Sequence, residues 1–228
     1  MRMDIPIIRN CNQTSRYPGT FSLIEPVIQG KKVLDLGCNQ GYHLRNVGSG
    51  SLGLDYDVEL LNQAKSQNDG VLFARADFNS PHFPVADENF EAVLASHVLE
   101  HVHAPIKFLG ECNRVLAGGG TLVLGLPVED GMYARLALNY FGHPGHLYSF
   151  SLTNIKKLLN IVGFGDIKFV YHLARIGFRT WWNNRINQWV NAHLPSWLAY
   201  QMSPAYWVIA CKQQDYEQIA AKVGSVFL

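Results

Sequence analysis

Short apolar runs alternate with amphipathic stretches along most of the chain. Runs of this length, bounded by glycine or polar residues, are typical of strands that a sheet buries on both faces. Seven candidate strands lie at Val33–Leu36, 51–55, 71–74, 90–96, 121–126, 164–171 and 205–211. The pattern therefore predicts a seven-stranded sheet that is mainly parallel.

The segments between these runs have the apolar spacing of helices. Candidate helices lie at 21–30, 42–47, 58–65, 105–116 and 152–162. Ser151 or Thr153 is available as the N-cap of the last one. Strands that alternate with helices favour a sheet that is covered on both faces. We therefore expect a three-layer α/β fold, with 1–228 forming a single domain.

A segment rich in tryptophan and asparagine, at about 172–203, lengthens the layout between the last two strands. Within it, Trp182, Ile186, Trp189 and His193 recur at helical spacing, which predicts an amphipathic helix. We expect this helix to pack over its own sheet or over a ligand pocket. Docking on a partner subunit or on a membrane surface stays open, because tryptophan and the nearby arginines suit both.

The charge balance limits the partners of the chain. Lysine and arginine together number 19 and the acidic residues 18, so no broad positive field is available to hold a phosphate backbone. We therefore expect no nucleic acid as a principal partner. Cys11, Cys38, Cys112 and Cys211 lack the spacing of a disulfide framework or a zinc site, which favours reduced thiols and a cytoplasmic location. The N-terminal residues contain no long apolar run, so we expect neither a signal peptide nor a membrane span.

The segment 33–41, with the sequence VLDLGCNQG, carries the clearest signal for a ligand. A strand that ends in Asp-x-Gly lets the backbone pass close to a ligand at the carboxyl edge of the sheet, because Gly37 and Gly41 have no side chains. The phosphate-binding pattern GxGxxG is absent. The carboxylate of Asp35 instead suits a cationic group.

Two further acids stand at the ends of the next two candidate strands. Asp55 lies where a carboxylate can accept both ribose hydroxyls of a nucleoside, and Asp77 ends the third strand. Taken singly, each acid is more typical of a turn. Together with Asp35, the three acids at one sheet edge favour a binding site.

These motifs resemble those of the class I S-adenosylmethionine-dependent methyltransferases. The most similar branch is methyltransferase type 11, which includes ubiquinone-biosynthesis methyltransferases and many small-molecule enzymes. The resemblance covers about 31–169 and rests on VLDLGCNQG at 33–41, GLD at 53–55, ADF at 76–78, FEAVLASHVLEHV at 90–102 and NRVLAGGGTLVLGLP at 113–127. It implies a Rossmann-like sheet with an antiparallel last strand. It also implies S-adenosylmethionine as cofactor, S-adenosylhomocysteine as product and a small-molecule methyl acceptor.

The resemblance assigns the cofactor site residue by residue. Its predicted members are Asp35, Gly37 and Gly41 around the methionine part, Asp55 at the ribose, Asp77 and Phe78 at the adenine, Ser96 and His97 closing the pocket, and Cys38, Asn39 and Tyr56 as further contacts. Asn39 stands where family members usually have glycine. Asparagine tolerates a left-handed backbone better than most residues, so the loop can keep its shape.

The methyl group of this cofactor is already activated, so the main task of the enzyme is to align the reacting atoms and exclude water. A general base helps where the acceptor is a hydroxyl, a thiol or a protonated amine, and histidine suits that role. We predict His143 or His146, in the segment GHPGHLYSF, as this base. The alternative is that both cap the following helix or satisfy backbone groups. His101 and His103 are expected to be structural, and no metal site is expected, because no carboxylate or thiolate lies at a recognisable ligand spacing.

Two other functions fit parts of the same pattern. A nicotinamide-dependent oxidoreductase would share the layout of strands and acids, but its phosphate-binding glycines are absent. A non-catalytic partner protein that binds the cofactor would fit Asn39 and the tryptophan-rich segment. The acceptor is expected to enter between the segment around Tyr17, the loop 129–148 and the insertion, and the fold does not identify it.

Overall fold

The computed structural model describes residues 18–136, 144–172 and 180–219, which form a seven-stranded sheet with flanking helices. The strands are β1 Val33–Leu36, β2 Leu52–Asp55, β3 Leu72–Arg75, β4 Phe90–Ser96, β5 Leu116–Pro127, β6 Phe164–His172 and β7 Ala205–Lys212. The helices are α1 Pro18–Ile28, α2 Val58–Gln67, α3 Pro105–Val115, α4 Met132–Leu136, α5 Leu152–Ile161, α6 Thr180–His193 and α7 Ser196–Gln201, with a short 3-10 helix at Tyr42–Leu44. Tyr17 and His143, which the sequence placed near the acceptor, lie outside the described residues.

The strand order is β3-β2-β1-β4-β5-β7-β6. Strands β1 to β5 pair in parallel, and β7 runs antiparallel to both β5 and β6. The predicted α/β fold, with its antiparallel last strand, is confirmed. In sheets of this kind, ligands bind outside the carboxyl ends of the strands, at the point where the strand order reverses. Here that point lies between β1 and β4.

Apolar side chains cover both faces of the sheet. Leu34 and Leu36 pack into one core with α3 and α5, while Val33 packs into the other with α1 and α2. Successive side chains of a strand point to opposite faces, so Asp35 shares the face of Val33. A carboxylate therefore enters an otherwise apolar layer at the carboxyl end of β1.

The fifth strand begins earlier than the sequence pattern predicts. Because β5 starts at Leu116 and not at 121, the glycines at 118–120 lie within the strand. The pairing with β4 is irregular across this stretch. Gly119 has a φ of +75°, an angle that glycine adopts readily and that lets a strand bulge. The helix expected at 42–47 is a single 3-10 turn, and α4 was not predicted.

The insertion between β6 and β7 forms α6 and α7, which pack against β6, and α6 also packs against α1. Asn187 and Val190 of α6 are buried, and the amide of Asn191 pairs with a backbone N–H and a backbone C=O of β6 at 2.7 and 2.9 Å. Trp189, by contrast, is 54% exposed. The expected packing of this helix over its own sheet agrees with the structure, although Trp189 of the predicted stripe faces outward, and the side chain of Trp182 lies outside the described part. The helices of the described residues include none with the length and apolarity of a membrane span.

Candidate active site

The loop after β1 turns through three residues with left-handed backbone angles. Gly37, Asn39 and Gly41 have φ values of 73°, 50° and 71°. A Cβ atom on Gly37 would lie 2.6 Å from Cγ2 of Val98, so glycine alone fits there. Asn39 supports its own turn, because its Oδ1 accepts a hydrogen bond from the backbone N–H of Gln40 at 2.8 Å. The expectation that asparagine can keep this loop in shape agrees with the structure.

Two other members of the loop pack against the core beneath it. The side chain of Cys38 is 3% exposed, and burial raises the pKa of its thiol above the usual range. A Cβ atom on Gly41 would lie 2.6 Å from Nδ2 of Asn68, just beyond α2. A contact between Cys38 and a ligand would therefore use its backbone and not its thiol.

Asp55 joins this loop to the end of β2. Its Oδ2 accepts a hydrogen bond from the backbone N–H of Asn39 at 2.8 Å, and its Oδ1 accepts one from Asp57 at 3.0 Å. A carboxylate can accept about four hydrogen bonds, so both oxygens keep capacity for ligand hydroxyls. Tyr56, the next residue, is 62% exposed at the same edge. The structure thus places Asp55 at the carboxyl edge of the sheet beside the loop after β1, and its contact with a ribose stays a prediction.

Asp35 is buried without a hydrogen-bond partner among the described residues. Neither of its carboxylate oxygens is paired there, and the side chain is 0% exposed. Burial, together with the negative charge of Asp55, raises the pKa of Asp35 well above its usual value. A carboxylate in this position costs free energy unless a ligand supplies positive charge or N–H donors.

His43 is the neighbour of Asp35 but does not neutralise it. Burial, helped by the nearby His97, lowers the pKa of His43 to about 4, so its ring is uncharged near neutral pH. Phe21 and Trp207 form aromatic walls, with ring centroids 4.5 and 6.1 Å from that of His43. The surroundings of Asp35 therefore combine an uncompensated carboxyl group with apolar and aromatic side chains.

The residues predicted for the adenine lie just beyond β3. Asp77 stands two residues after the strand and not at its last residue, and its Oδ1 accepts a hydrogen bond from the backbone N–H of Asn79 at 2.9 Å. Phe78 is half-buried and meets Phe83 and Phe108 edge-on, with ring centroids 6.1 and 6.2 Å apart. The side chain of Asp77 therefore stabilises a turn, while contacts with Phe83 and Phe108 fix the ring of Phe78.

Ser96 and His97 lie where β4 ends beside β5. His97 follows the strand with a left-handed φ of 56°, and its backbone N–H donates to the carbonyl of Gly125 at 2.8 Å. Its Nδ1 donates to Oε1 of Glu100 at 3.1 Å. A Cβ atom on Gly125 would lie 3.1 Å from Oγ of Ser96. Both predicted residues therefore stand at the same sheet edge as Asp35.

Four ionisable side chains meet beyond β4 and β5, and we refer to them as the edge cluster: Glu100, His101, Glu129 and His146. Nδ1 of His146 donates to Oε1 of Glu129, and Nδ1 of His101 donates to the carbonyl of Gly145 at 2.8 Å. The two imidazole rings lie 4.8 Å apart in an edge-on arrangement. His101 is therefore in contact with His146. From the sequence, only a structural role was expected for His101, and this contact was not predicted.

Three polar residues at this edge were missed from the sequence. Glu100 is a lone acid in an apolar stretch, and that isolation could have marked it. His43 lies two residues after Gly41, and Glu129 comes two residues after β5. No local pattern indicated that the segments carrying Glu100 and Glu129 would meet.

The chain is similar in sequence to known methyltransferases. Residues 34–124 match the model of a family described as a methyltransferase domain. A protein of Mycolicibacterium smegmatis, named "Probable S-adenosylmethionine-dependent methyltransferase", is 28% identical over 155 residues, which are 64% of this chain and 57% of that protein. A tRNA U34 carboxymethyltransferase of Desulfotalea psychrophila is 29% identical over 133 residues, which are 51% of this chain and 42% of that protein. The chain spans between 32% and 59% of the length of the first curated relatives that it matches.

Solved structures share the fold. A methyltransferase of Thermotoga maritima that depends on S-adenosylmethionine, described as a possible histamine N-methyltransferase, superposes with a TM-score of 0.62 at 15% identity. The alignment covers 86% of this chain and 88% of that one. At this level of identity the likeness is one of fold.

Proposed function

The chain carries a class I S-adenosylmethionine-dependent methyltransferase domain, and we propose that it transfers a methyl group from this cofactor to a small-molecule acceptor. The resemblance drawn from the sequence motifs is therefore confirmed. The observation that carries the proposal is the buried, unpartnered carboxylate of Asp35 beside the loop at 37–41. That carboxylate lies at the switch point of the sheet, where such folds bind ligands.

The residues of the site fit the parts of S-adenosylmethionine, the cofactor of this family. Its methionine part carries an ammonium and a sulfonium, and positive charge is what Asp35 lacks. Its ribose has two vicinal hydroxyls, which suit the remaining acceptor capacity of Asp55. Tyr56 and Phe78 offer aromatic faces for the adenine, and the backbone of the loop at 37–41 can approach the methionine part closely.

When it is bound, the cofactor supplies a methyl group that its sulfonium already activates. The residues of the chain then have to hold the reactants in line and exclude water. The neutral ring of His43 and the walls of Phe21 and Trp207 make the surroundings of Asp35 apolar, which strengthens its attraction for a cation. These residues therefore bind and orient, and they need no covalent step.

His146 is the group that we assign to the acceptor. Its Nδ1–H donates a hydrogen bond to Glu129. In this tautomer the lone pair of the neutral ring is on Nε2. A lone pair held in this way increases the nucleophilicity of a hydroxyl, thiol or amine beside it. His143 keeps the same predicted role from the sequence.

A small acceptor fits this edge better than RNA does. The formal net charge of the chain is +1, and Glu100, Glu129 and Asp130 place carboxylates beyond β4 and β5. Carboxylates repel a phosphodiester backbone. The relatives named as tRNA U34 carboxymethyltransferases make RNA the alternative that an assay has to include.

An assay of S-adenosylhomocysteine release tests the proposal. The chain is incubated with S-adenosylmethionine and with a panel of small hydroxyl, thiol and amine acceptors, and in parallel with bulk tRNA. We expect release with at least one small-acceptor class and only background with tRNA. Release with tRNA alone would contradict the acceptor class, and cofactor binding without any release would favour the non-catalytic alternative.

A further inference from the structure

The edge cluster has the composition and spacing of a metal site. One ligand atom each from Glu100, His101 and His146 lies within 4.8 Å of the other two. We propose that these three residues bind a divalent first-row transition-metal ion. This proposal departs from the expectation of no metal site, which rested on ligand spacing along the chain, because these ligands come from two segments, one after β4 and one after β5.

The histidines are oriented as metal ligands usually are. A ligating imidazole commonly donates its second N–H to a carboxylate or a backbone carbonyl, which fixes the tautomer and the ring angle. Nδ1 of His146 donates to Glu129, and Nδ1 of His101 donates to the carbonyl of Gly145 at 2.8 Å. Both rings therefore direct their lone pair through Nε2, and Glu129 acts as a positioning residue for His146.

Glu100 supplies the negative charge that a cation requires. It is 0% exposed, and its Oε2 has no hydrogen-bond partner among the described residues. Glu100 therefore offers one buried carboxylate oxygen that the described residues leave unused.

The ligand set selects the class of metal. Two imidazoles and one carboxylate suit zinc, cobalt, iron or manganese, whereas magnesium and calcium prefer oxygen ligands alone. Three protein ligands also leave coordination positions for another molecule. A metal ion at this edge would lie beside the proposed acceptor side of the pocket.

The metal deepens the proposed function, and this part of the inference rests on it. A cation in an open site lowers the pKa of a bound hydroxyl, so the acceptor class becomes one that presents an oxygen. In the balanced reaction, the acceptor O–H loses its proton to solvent, its oxygen forms the bond to the methyl carbon, and the electron pair of the broken C–S bond stays on sulfur. When the metal is bound, the lone pair of His146 is held on the ion, so the role proposed for His146 at the acceptor is exerted through the metal.

Cobalt(II) is the probe that tests the site. Untagged protein is treated with EDTA, desalted and titrated with Co²⁺, with binding followed by calorimetry and by the visible absorption of the bound ion. We expect one ion per chain, with affinity lowered by about tenfold or more in His101→Ala, His146→Ala and Glu100→Gln. His103→Ala is the matched control, because His103 is exposed and contacts Asn79 and Tyr148 through its backbone N–H and carbonyl. Mg²⁺ should not displace Co²⁺.

The outcomes separate the metal from the methyl transfer. Absence of saturable Co²⁺ binding, or equal affinity in His146→Ala and the intact chain, would overturn the metal site. Glu129→Gln should retain the ion with about 10-fold to 100-fold weaker affinity, as loss of a supporting hydrogen bond does elsewhere. If Glu100→Gln fails to fold, the Co²⁺ affinity of His146→Ala decides whether the metal site exists. His146 lies on a loop, where a substitution to alanine disturbs folding less. Titration of the EDTA-treated chain with S-adenosylmethionine reports on the proposed function alone, because the proposed cofactor residues Asp35 and Asp55 are not among the metal ligands.

Discussion

Nδ1 of His43 lies 3.8 Å from Oδ2 of Asp35 at the buried carboxyl end of β1. The two groups do not form an ion pair, because burial holds the pKa of His43 at about 4 and raises that of Asp35. The protein therefore keeps a carboxylate whose compensating charge has to come from outside. We take this pair as the centre of cofactor recognition.

Cofactor binding should strengthen as the pH rises. Without ligand, the pKa of Asp35 is raised, and a bound cation favours the ionised carboxylate. Binding therefore releases a proton from Asp35, and affinity increases as the pH passes upward through its raised pKa. Calorimetry in two buffers with different ionisation enthalpies measures this release. Proton uptake on binding would contradict the assignment.

The substitution Asp35→Asn should stabilise the cofactor-free chain and weaken cofactor binding. Removing a buried, uncompensated charge should raise the free energy of unfolding at pH 7 by about 1–2 kcal/mol, or roughly 2–4 °C in Tm per kcal/mol. The gain should shrink at acidic pH, where Asp35 is protonated in the folded and the unfolded chain alike. Thermal unfolding against pH checks the sign. A variant that is less stable and binds the cofactor unchanged would remove Asp35 from the site.

The substitution Asp55→Ala should weaken binding of S-adenosylmethionine by about 1.5–3 kcal/mol, because it removes charge-assisted hydrogen bonds to the ribose. Asp69→Ala serves as the control, since Asp69 is an exposed acid in the turn before β3. Calorimetric titration of both variants measures the difference. Equal affinities in Asp55→Ala and the intact chain would reject the ribose role.

His146→Ala should lower methyl transfer by on the order of 10²–10⁴-fold while leaving the dissociation constant of the cofactor unchanged. Glu129→Gln should cause a smaller loss, because it removes only the orienting hydrogen bond. Steady-state rates alongside cofactor titrations separate the two effects. The same test applies to His143→Ala, and full activity in both histidine variants would return His143 and His146 to structural roles.

Gly37→Ala should lower the free energy of unfolding by about 1–3 kcal/mol, because alanine is strained at a φ of 73° and its Cβ would meet Val98. Gly118→Ala is the matched control, since a Cβ there meets nothing within 4 Å. Chemical denaturation of both variants measures how much each substitution lowers the free energy of unfolding. A loss no larger at Gly37 than at Gly118 would mean that the loop adapts to a side chain.

The sequence predicted the strands best where apolar runs have sharp ends. β1 and β4 have the bounds that the pattern indicated, because lysine and glycine frame the first and polar residues precede the second. The start of β5 was wrong, since a bulge at Gly119 lets the strand pass through a glycine run that otherwise predicts a turn. The contact of Asn191 in α6 with backbone groups of β6 was not predicted, because a hydropathy pattern contains no information on such a long-range contact.

The candidate site was predictable where its residues follow the strands. Asp35, Asp55 and Ser96 lie at the carboxyl edge because parallel strands bring those ends together. The contact between His101 and His146 was not predictable, because it depends on how two loops meet. Nor could the sequence indicate that Asp35 would lack a partner, which depends on the neutral ring of His43.

Titration of the cofactor-free chain with S-adenosylmethionine, beside adenosine as the ligand that lacks the charged methionine part, tests the role of Asp35 most directly. We expect one cofactor per chain, bound far more tightly than adenosine, and a much smaller difference between the two ligands in Asp35→Asn. Failure to bind the cofactor, or the same difference in the intact chain and the variant, would contradict the account.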